Sequence, residues 1–315
     1  MTYISVEDYY LNSNSWMWRG FNTSWHIKGH KNKYPILLLH GFGASGAHWR
    51  KNINYFAEKG FIVYSLDLIG FGNSAQPGIK EINKLDNGVW CDQVLDFINQ
   101  IIRPNNSEKI ILIGNSLGSL VALTCAVKAP SEIQGMIASP LPDRVTPKHN
   151  KSGFKSNINK FKFILTKLFF LLTPLELILF IVNKAGLIEL GLKVAYHKQT
   201  KIDKELIKII KEPARRSTAA RSLRAMSIGM ATRNDKLKST YLLDIMNRMD
   251  KIPFLLIWGE KDNFIPLFLG KMIANLYSWV ELKIIPNSGH CVHDEDHIKF
   301  NRISYNWIKR LRESK

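Results

Sequence analysis

Four short segments carry groups suited to nucleophilic acyl transfer. In Gly114-Asn115-Ser116-Leu117-Gly118, a serine stands between two glycines, after the apolar run IILIGN and before LGSLVALTCAVKA, which has a helical pattern. A serine on a sharp strand-to-helix turn presents its hydroxyl above the sheet, and glycines on either side let neighbouring backbone approach closely. The start of the following helix also favours negative charge developing nearby. The bland alternative is an ordinary strand-to-helix turn that happens to contain serine.

His40-Gly41-Phe42-Gly43 closes the run YPILLLH. A tetrahedral intermediate carries an oxyanion that needs two preorganised N–H donors, and the backbone amides of Phe42 and Leu117 are the candidates. In this reading His40, Gly41, Gly43, Gly114 and Gly118 support the two turns. A plain glycine-rich turn is the competing explanation for the first motif alone.

The general base is expected late in the chain. In PNSGHCVHDEDH, His290 follows the strand-like ELKIIP after an Asn-Ser-Gly turn, whereas His293 and His297 fall in a helical region and read as a polar helix face. A carboxylate must orient the imidazole, and Asp262 in Trp258-Gly259-Glu260-Lys261-Asp262 follows the strand PFLLIW. Asp143, after the sixth strand, is its main rival, and Glu260 lies two residues closer to the strand. Asp67, at the end of FIVYSLD, is expected to order its own turn.

These loops need a sheet to carry them. Apolar, β-rich runs alternate with helical patterns, which predicts a mostly parallel sheet covered on both faces. Eight strands are expected: Trp16 to Gly20 and Ser24 to Lys28 as a hairpin turning at Phe21 to Thr23, then Pro35 to His40, Phe61 to Asp67, Lys109 to Asn115, Ile133 to Ala138, Pro253 to Trp258 and Glu281 to Pro286. Between the sixth and seventh the pattern is helical throughout. The organisation is therefore a sheet domain in two parts, 1–143 and 250–315, with an inserted helical cap at 144–249; 147–159 is a solvated connector.

Hydrophobic residues at 45% and charged residues at 22% are ordinary for a globular chain. Cys91, Cys125 and Cys291 are odd in number and lack paired spacing, which argues against a zinc site or a disulfide framework and for a reducing compartment. MTYISVEDYYLN carries early acidic residues and no apolar run, so it does not read as a secretory signal. A cytoplasmic location is expected. Arg144 to Thr240 holds 21 Lys plus Arg against 6 Asp plus Glu, a net +15 out of +18 for the whole chain, so the basic charge belongs to the cap.

On HGFGASGAHWR (His40 to Arg50), LDLIGFGNS (Leu66 to Ser74), VWCDQVLDF (Val89 to Phe97), GNSLG and GHCVHDE (Gly289 to Glu295), the chain resembles the α/β-hydrolase superfamily. Within it, the chain is similar to the pheophytinase and chlorophyll dephytylase group. Ser119 replaces that group's second glycine, Val292 replaces a proline, and the cap has no match. The resemblance implies the α/β-hydrolase fold, the order nucleophile, acid, base, and a phytyl or other lipid ester as substrate. Those similar folds that carry aspartate at the nucleophile, the haloalkane dehalogenases and epoxide hydrolases, are disfavoured by Ser116.

Phe163 to Val182 is very apolar but interrupted by Lys167, Pro174 and Glu176, which predicts two short lid helices rather than a membrane span. Lys148, Lys151, Lys155, Lys160 and Lys162, with Arg215, Arg216, Arg221 and Arg224, surround it. Basic charge beside apolar surface suits peripheral contact with an anionic internal membrane; a solvated basic face is the alternative, and no nucleic-acid motif accompanies the charge. The expected function is hydrolysis of a small-molecule ester bearing a bulky apolar group by Ser116, His290 and Asp262, with no metal or cofactor. A cofactor-free lyase, a C–C hydrolase, an acyltransferase or a catalytically silent binding protein could carry the same constellation.

Overall fold

The computed structural model describes residues 3–30, 33–143, 165, 168–184, 187–197, 204–249 and 251–313. Lys148, Lys151, Lys155, Lys160, Lys162, Lys167 and the connector 147–159 lie outside the described residues.

Eight strands form one sheet: β1 (Asn14–Trp18), β2 (Phe21–Lys28), β3 (Tyr34–Leu39), β4 (Phe61–Leu66), β5 (Ile110–Asn115), β6 (Ile133–Ser139), β7 (Phe254–Gly259) and β8 (Val280–Ile285). Their order is β1-β2-β4-β3-β5-β6-β7-β8. β2 pairs antiparallel with β1 and β4, and every other pairing is parallel. The hairpin turns at Arg19 and Gly20 rather than at Phe21 to Thr23. Both turn residues have positive φ, 48° and 82°, the two-residue geometry that matches strand twist.

β4, β5 and β7 are buried along their whole length, as parallel strands covered on both faces must be. Alternate residues go to opposite faces. Leu37, Leu39, Ile62 and Tyr64 pack with α3 (Asn87–Phe97) and α4 (Leu117–Lys128), through Trp90, Val94, Leu120 and Val121. Ile36, Leu38, Val63 and Ile111 meet α1 (Val6–Leu11) and α2 (Ile53–Glu58).

Every described element between β6 and β7 is helical: 168–172, α5 (Leu175–Lys184), α6 (Leu187–Ala195), α7 (Lys204–Arg215), α8 (Ala219–Ala231), the one-turn Asp235–Leu237 and α9 (Ser239–Arg248). The chain breaks at Thr173-Pro174, because proline lacks the N–H that would continue the first helix. α9 falls within the range assigned to the cap, yet Leu242, Leu243 and Met246 join the same core as the sheet. Among the described residues no helix is long and apolar enough to cross a membrane. After β7 come α10 (Leu267–Leu276), then β8, the one-turn α11 (Val292–Glu295) and α12 (His297–Glu313).

Candidate active site

Ser116 sits between β5 and α4 with φ 50° and ψ −111°, outside the regions an L-residue adopts freely. Tight packing imposes that geometry. A Cβ on Gly114 would lie 2.4 Å from the Gly118 carbonyl, and a Cβ on Gly118 would lie 2.1 Å from the Leu39 oxygen. The Ser116 N–H donates to the Ser139 carbonyl at 3.0 Å, fixing the turn to β6. Ser119 reinforces the same joint: its hydroxyl donates to the Gly114 carbonyl at 2.8 Å and accepts the Ser139 N–H at 2.9 Å. A glycine there would leave that link unmade.

The His40-Gly41-Phe42-Gly43 turn lies directly against this elbow. A Cβ on Gly41 would come 2.6 Å from Asn115 Oδ1, while Asn115 Nδ2 donates to the Ser139 carbonyl at 2.6 Å. Among the described residues neither the Phe42 nor the Leu117 N–H has a hydrogen-bond acceptor. His40 accepts the Leu68 N–H on Nε2 at 3.1 Å, so its proton resides on Nδ1, which donates to the Gly41 carbonyl at 2.8 Å. Burial lowers its pKa to about 4, so His40 is a neutral strut between the turn and the end of β4. Asp67 does order its own turn, accepting the Gly46 and Asn73 amides at 2.6 and 2.8 Å. Burial raises its pKa to about 6 against those bonds and Arg216.

His290 and Asp262 come from the loops after β8 and β7. His290 Nδ1 and Asp262 Oδ2 are 2.9 Å apart, and Asp262 Oδ1 accepts the N–H groups of Phe264 and Ile265 at 2.8 and 2.9 Å. A carboxylate accepts only, so Nδ1 carries the proton and Nε2 is left to act as a base. Asn115 Nδ2 lies 3.5 Å from the His290 carbonyl, which brings the loop after β8 beside the elbow. Among the described residues the Ser116 hydroxyl makes no hydrogen bond; contacts of this kind tighten when substrate arrives.

The rival carboxylates are engaged elsewhere. Asp143 pairs with Arg233 and accepts the Ser239 N–H at 3.1 Å, and Glu260 accepts the Asn287 N–H at 3.2 Å. His293 is not part of a polar helix face: it is fully buried, its ring 4.2 Å from that of Trp49 and 4.4 Å from that of His48. Nor does His297 present a solvated face alone, since its Nε2 meets the Tyr3 hydroxyl at 2.8 Å. Among the described residues no group of His, Cys, Asp or Glu is arranged to hold a metal ion.

Between the sheet and the cap lies an apolar cavity of about 250 Å³. Phe42 and Phe71 form its sheet side, Leu179 and Val182 of α5 and Met226 of α8 its cap side, and among the described residues Gln76 is its sole polar side chain. Phe42 thus belongs both to the candidate oxyanion turn and to the cavity. Sequence reading missed the parts played by Asn115 and Ser119. The signal for Ser119 was visible as a departure from glycine, but its use depends on the position of β6.

The profile of the alpha/beta hydrolase fold family matches residues 34–297. Over 107 residues the chain is 32% identical to the human 1-acylglycerol-3-phosphate O-acyltransferase ABHD5, covering 34% of this chain and 29% of that protein. Over 123 residues it is 28% identical to the pimeloyl-[acyl-carrier protein] methyl ester esterase of Vibrio campbellii, covering 39% and 43%. The matched regions span less than half the length of these relatives. The solved structure of a bacterial membrane phospholipase A superposes with a TM-score of 0.71 at 20% identity, over 95% of this chain and 86% of that one.

Proposed function

We propose a serine hydrolase function from the premise that the chain belongs to the alpha/beta hydrolase fold family. The reading rests chiefly on the 2.9 Å contact between His290 Nδ1 and Asp262 Oδ2, beside an elbow whose serine is held at positive φ. In the acylation step, Ser116 Oγ attacks the ester carbonyl while His290 Nε2 takes its proton. The Phe42 and Leu117 amides stabilise the oxyanion, and His290 returns the proton to the leaving alkoxide. Water, deprotonated by His290, then releases the acid and regenerates Ser116. Asp262 holds the imidazole tautomer and stabilises the imidazolium.

The cavity favours a substrate with a bulky apolar group, a phytyl ester or another lipid ester among them. The test is labelling of the protein and of Ser116→Ala with a fluorophosphonate probe, then turnover across acyl and alcohol chain lengths. Labelling that disappears in Ser116→Ala, with turnover rising with apolar length, is expected. A folded wild-type protein that neither labels nor turns over any ester would reject the reading. Acyl transfer to an alcohol instead of water is the second reading, favoured by the likeness to an acyltransferase. Product analysis with a glycerol-based acceptor separates the two.

We further propose that the outer face of the cap meets an anionic lipid surface. Leu168, Phe169, Leu172, Leu177 and Leu190 are exposed, and Leu179 and Val182 on the same helix as Leu177 line the cavity. An apolar patch of this kind needs a partner, and the net +15 of this part of the sequence selects a negative one. Sedimentation with phosphatidylglycerol vesicles should exceed that with phosphatidylcholine vesicles and fall about tenfold in Leu172→Asp/Leu177→Asp. Equal sedimentation with both lipids would overturn the proposal.

A further inference from the structure

One end of the cap touches the base loop directly. The His290 N–H donates to the Ala195 carbonyl, the last residue of α6, at 2.8 Å. The fit leaves no space: a Cβ on Gly289 would lie 2.4 Å from that same carbonyl oxygen. Leu192, Ala195 and Tyr196 pack with Leu206 of α7 and with Cys291, the residue after His290.

Tyr196 continues this joint into a buried polar cluster. Its hydroxyl donates to Asp294 Oδ2 at 2.9 Å, so its oxygen accepts from His48 Nε2–H at 2.9 Å. Burial lowers the His48 pKa to about 4, so His48 is neutral and donates through that nitrogen. Arg50 and Lys51 stand 3.0 and 3.1 Å from Asp294 Oδ1. Burial alone would raise the Asp294 carboxyl, but the Arg50 and Lys51 cations hold it below the ordinary range, so a full negative charge sits at the foot of the cap. Asp294 itself lies on α11, four residues after the base.

We infer that Tyr196 is a positioning residue for His290. Its hydroxyl locks the end of α6 to α11, and the lock keeps the Ala195 carbonyl on the His290 amide. The inference rests on the reading of His290 as the base. Placement errors of about 1 Å cost on the order of 10²-fold in rate. The loop keeps another tie, the Gly289 N–H donating to Glu295 at 2.6 Å, so a partial loss is expected rather than an abolition.

The test is Tyr196→Phe, which keeps the ring and removes the hydroxyl. With a short soluble ester, kcat should fall about tenfold while KM stays within twofold, because Tyr196 does not line the cavity. The rate of fluorophosphonate labelling should fall by the same factor. A lower melting temperature with kcat and labelling unchanged would show a structural role only and overturn the inference.

A second measurement needs no variant. In the wild-type protein, hydrogen exchange of the His290 and Tyr196 amides, corrected for intrinsic rates, should agree within threefold, since one opening frees both. A difference beyond tenfold would overturn the inference as well. If the wild type shows no Ser116-dependent labelling, the base reading fails and this inference falls with it. If the wild type labels and turns over while Tyr196→Phe matches its kcat, the positioning role alone is refuted.

Discussion

The elbow around Ser116 and the outer helices of the cap are built on opposite terms. At the elbow, backbone meets backbone so closely that Gly114 and Gly118 admit no Cβ, and every residue of α4 from Leu117 to Ala126 is buried. On the cap, Leu172 is 74% exposed, and among the described residues no atom beyond its own stretch of helix lies within 4 Å of where a Cβ on Gly191 would stand. Under the proposed function, the contrast separates two jobs. A site that orients reacting atoms gains from over-determined geometry, whereas a surface that meets varied apolar partners needs area and charge more than fit.

The comparison predicts steep effects on the elbow side. Asp262→Asn should lower kcat by about 10³- to 10⁴-fold through loss of the imidazole's orientation and charge partner. Asp143→Asn should leave kcat within a few-fold and lower stability, since it weakens the pair with Arg233. Steady-state rates of both variants decide; a larger kcat loss in Asp143→Asn would reverse the assignment of the acid. Gly118→Ala should destabilise by about 3 kcal/mol, near the upper end of overpacking costs, and abolish labelling, as read by thermal melting and the fluorophosphonate probe. Wild-type stability in that variant would show that the elbow can relax.

Acid should loosen the sheet side. His40 and His48 have pKa values lowered by burial to about 4, from an ordinary 6.5. The unfolded chain therefore takes up protons that the native state refuses, and stability present above pH 6.5 is lost as pH falls toward 4. Asp67, raised to about 6, acts in the opposite sense between about pH 6 and 4 and offsets one of the two histidines. Melting temperature should be lower at pH 5 than at pH 7.5; an equal or higher value would contradict the buried neutral histidines. The smallest effect belongs to the cap. Gly191→Ala in α6 should stabilise by about 0.5–1 kcal/mol through helix propensity, and destabilisation would mean that this face is packed rather than open.

Much of this was legible in the sequence. All eight strands lie within a few residues of their expected positions; for β4, β5 and β7 the reason is that parallel strands buried on both faces leave continuous apolar runs. The hairpin turn was misplaced because Arg19 adopts positive φ, a conformation no side chain announces. The helical character of the described segment between β6 and β7 was legible from its pattern, and the break at Thr173-Pro174 from the proline. That α9 packs with the sheet core was not, since an amphipathic helix does not name its partner.

What the sequence determined by itself is the local chemistry: a serine between glycines at a strand end, a histidine and an aspartate on later loops, and basic charge gathered between Arg144 and Thr240. Only the tertiary structure decided which carboxylate reaches His290, since Asp143 and Asp262 follow adjacent strands and look alike in the chain. It also decided that Tyr196 and Asp294, 98 residues apart, share a hydrogen bond at the foot of the cap. The reason is physical. Turn geometry and strand burial follow from steric and solvation preferences of near neighbours, whereas a buried contact between distant residues exists only once packing has brought their elements together.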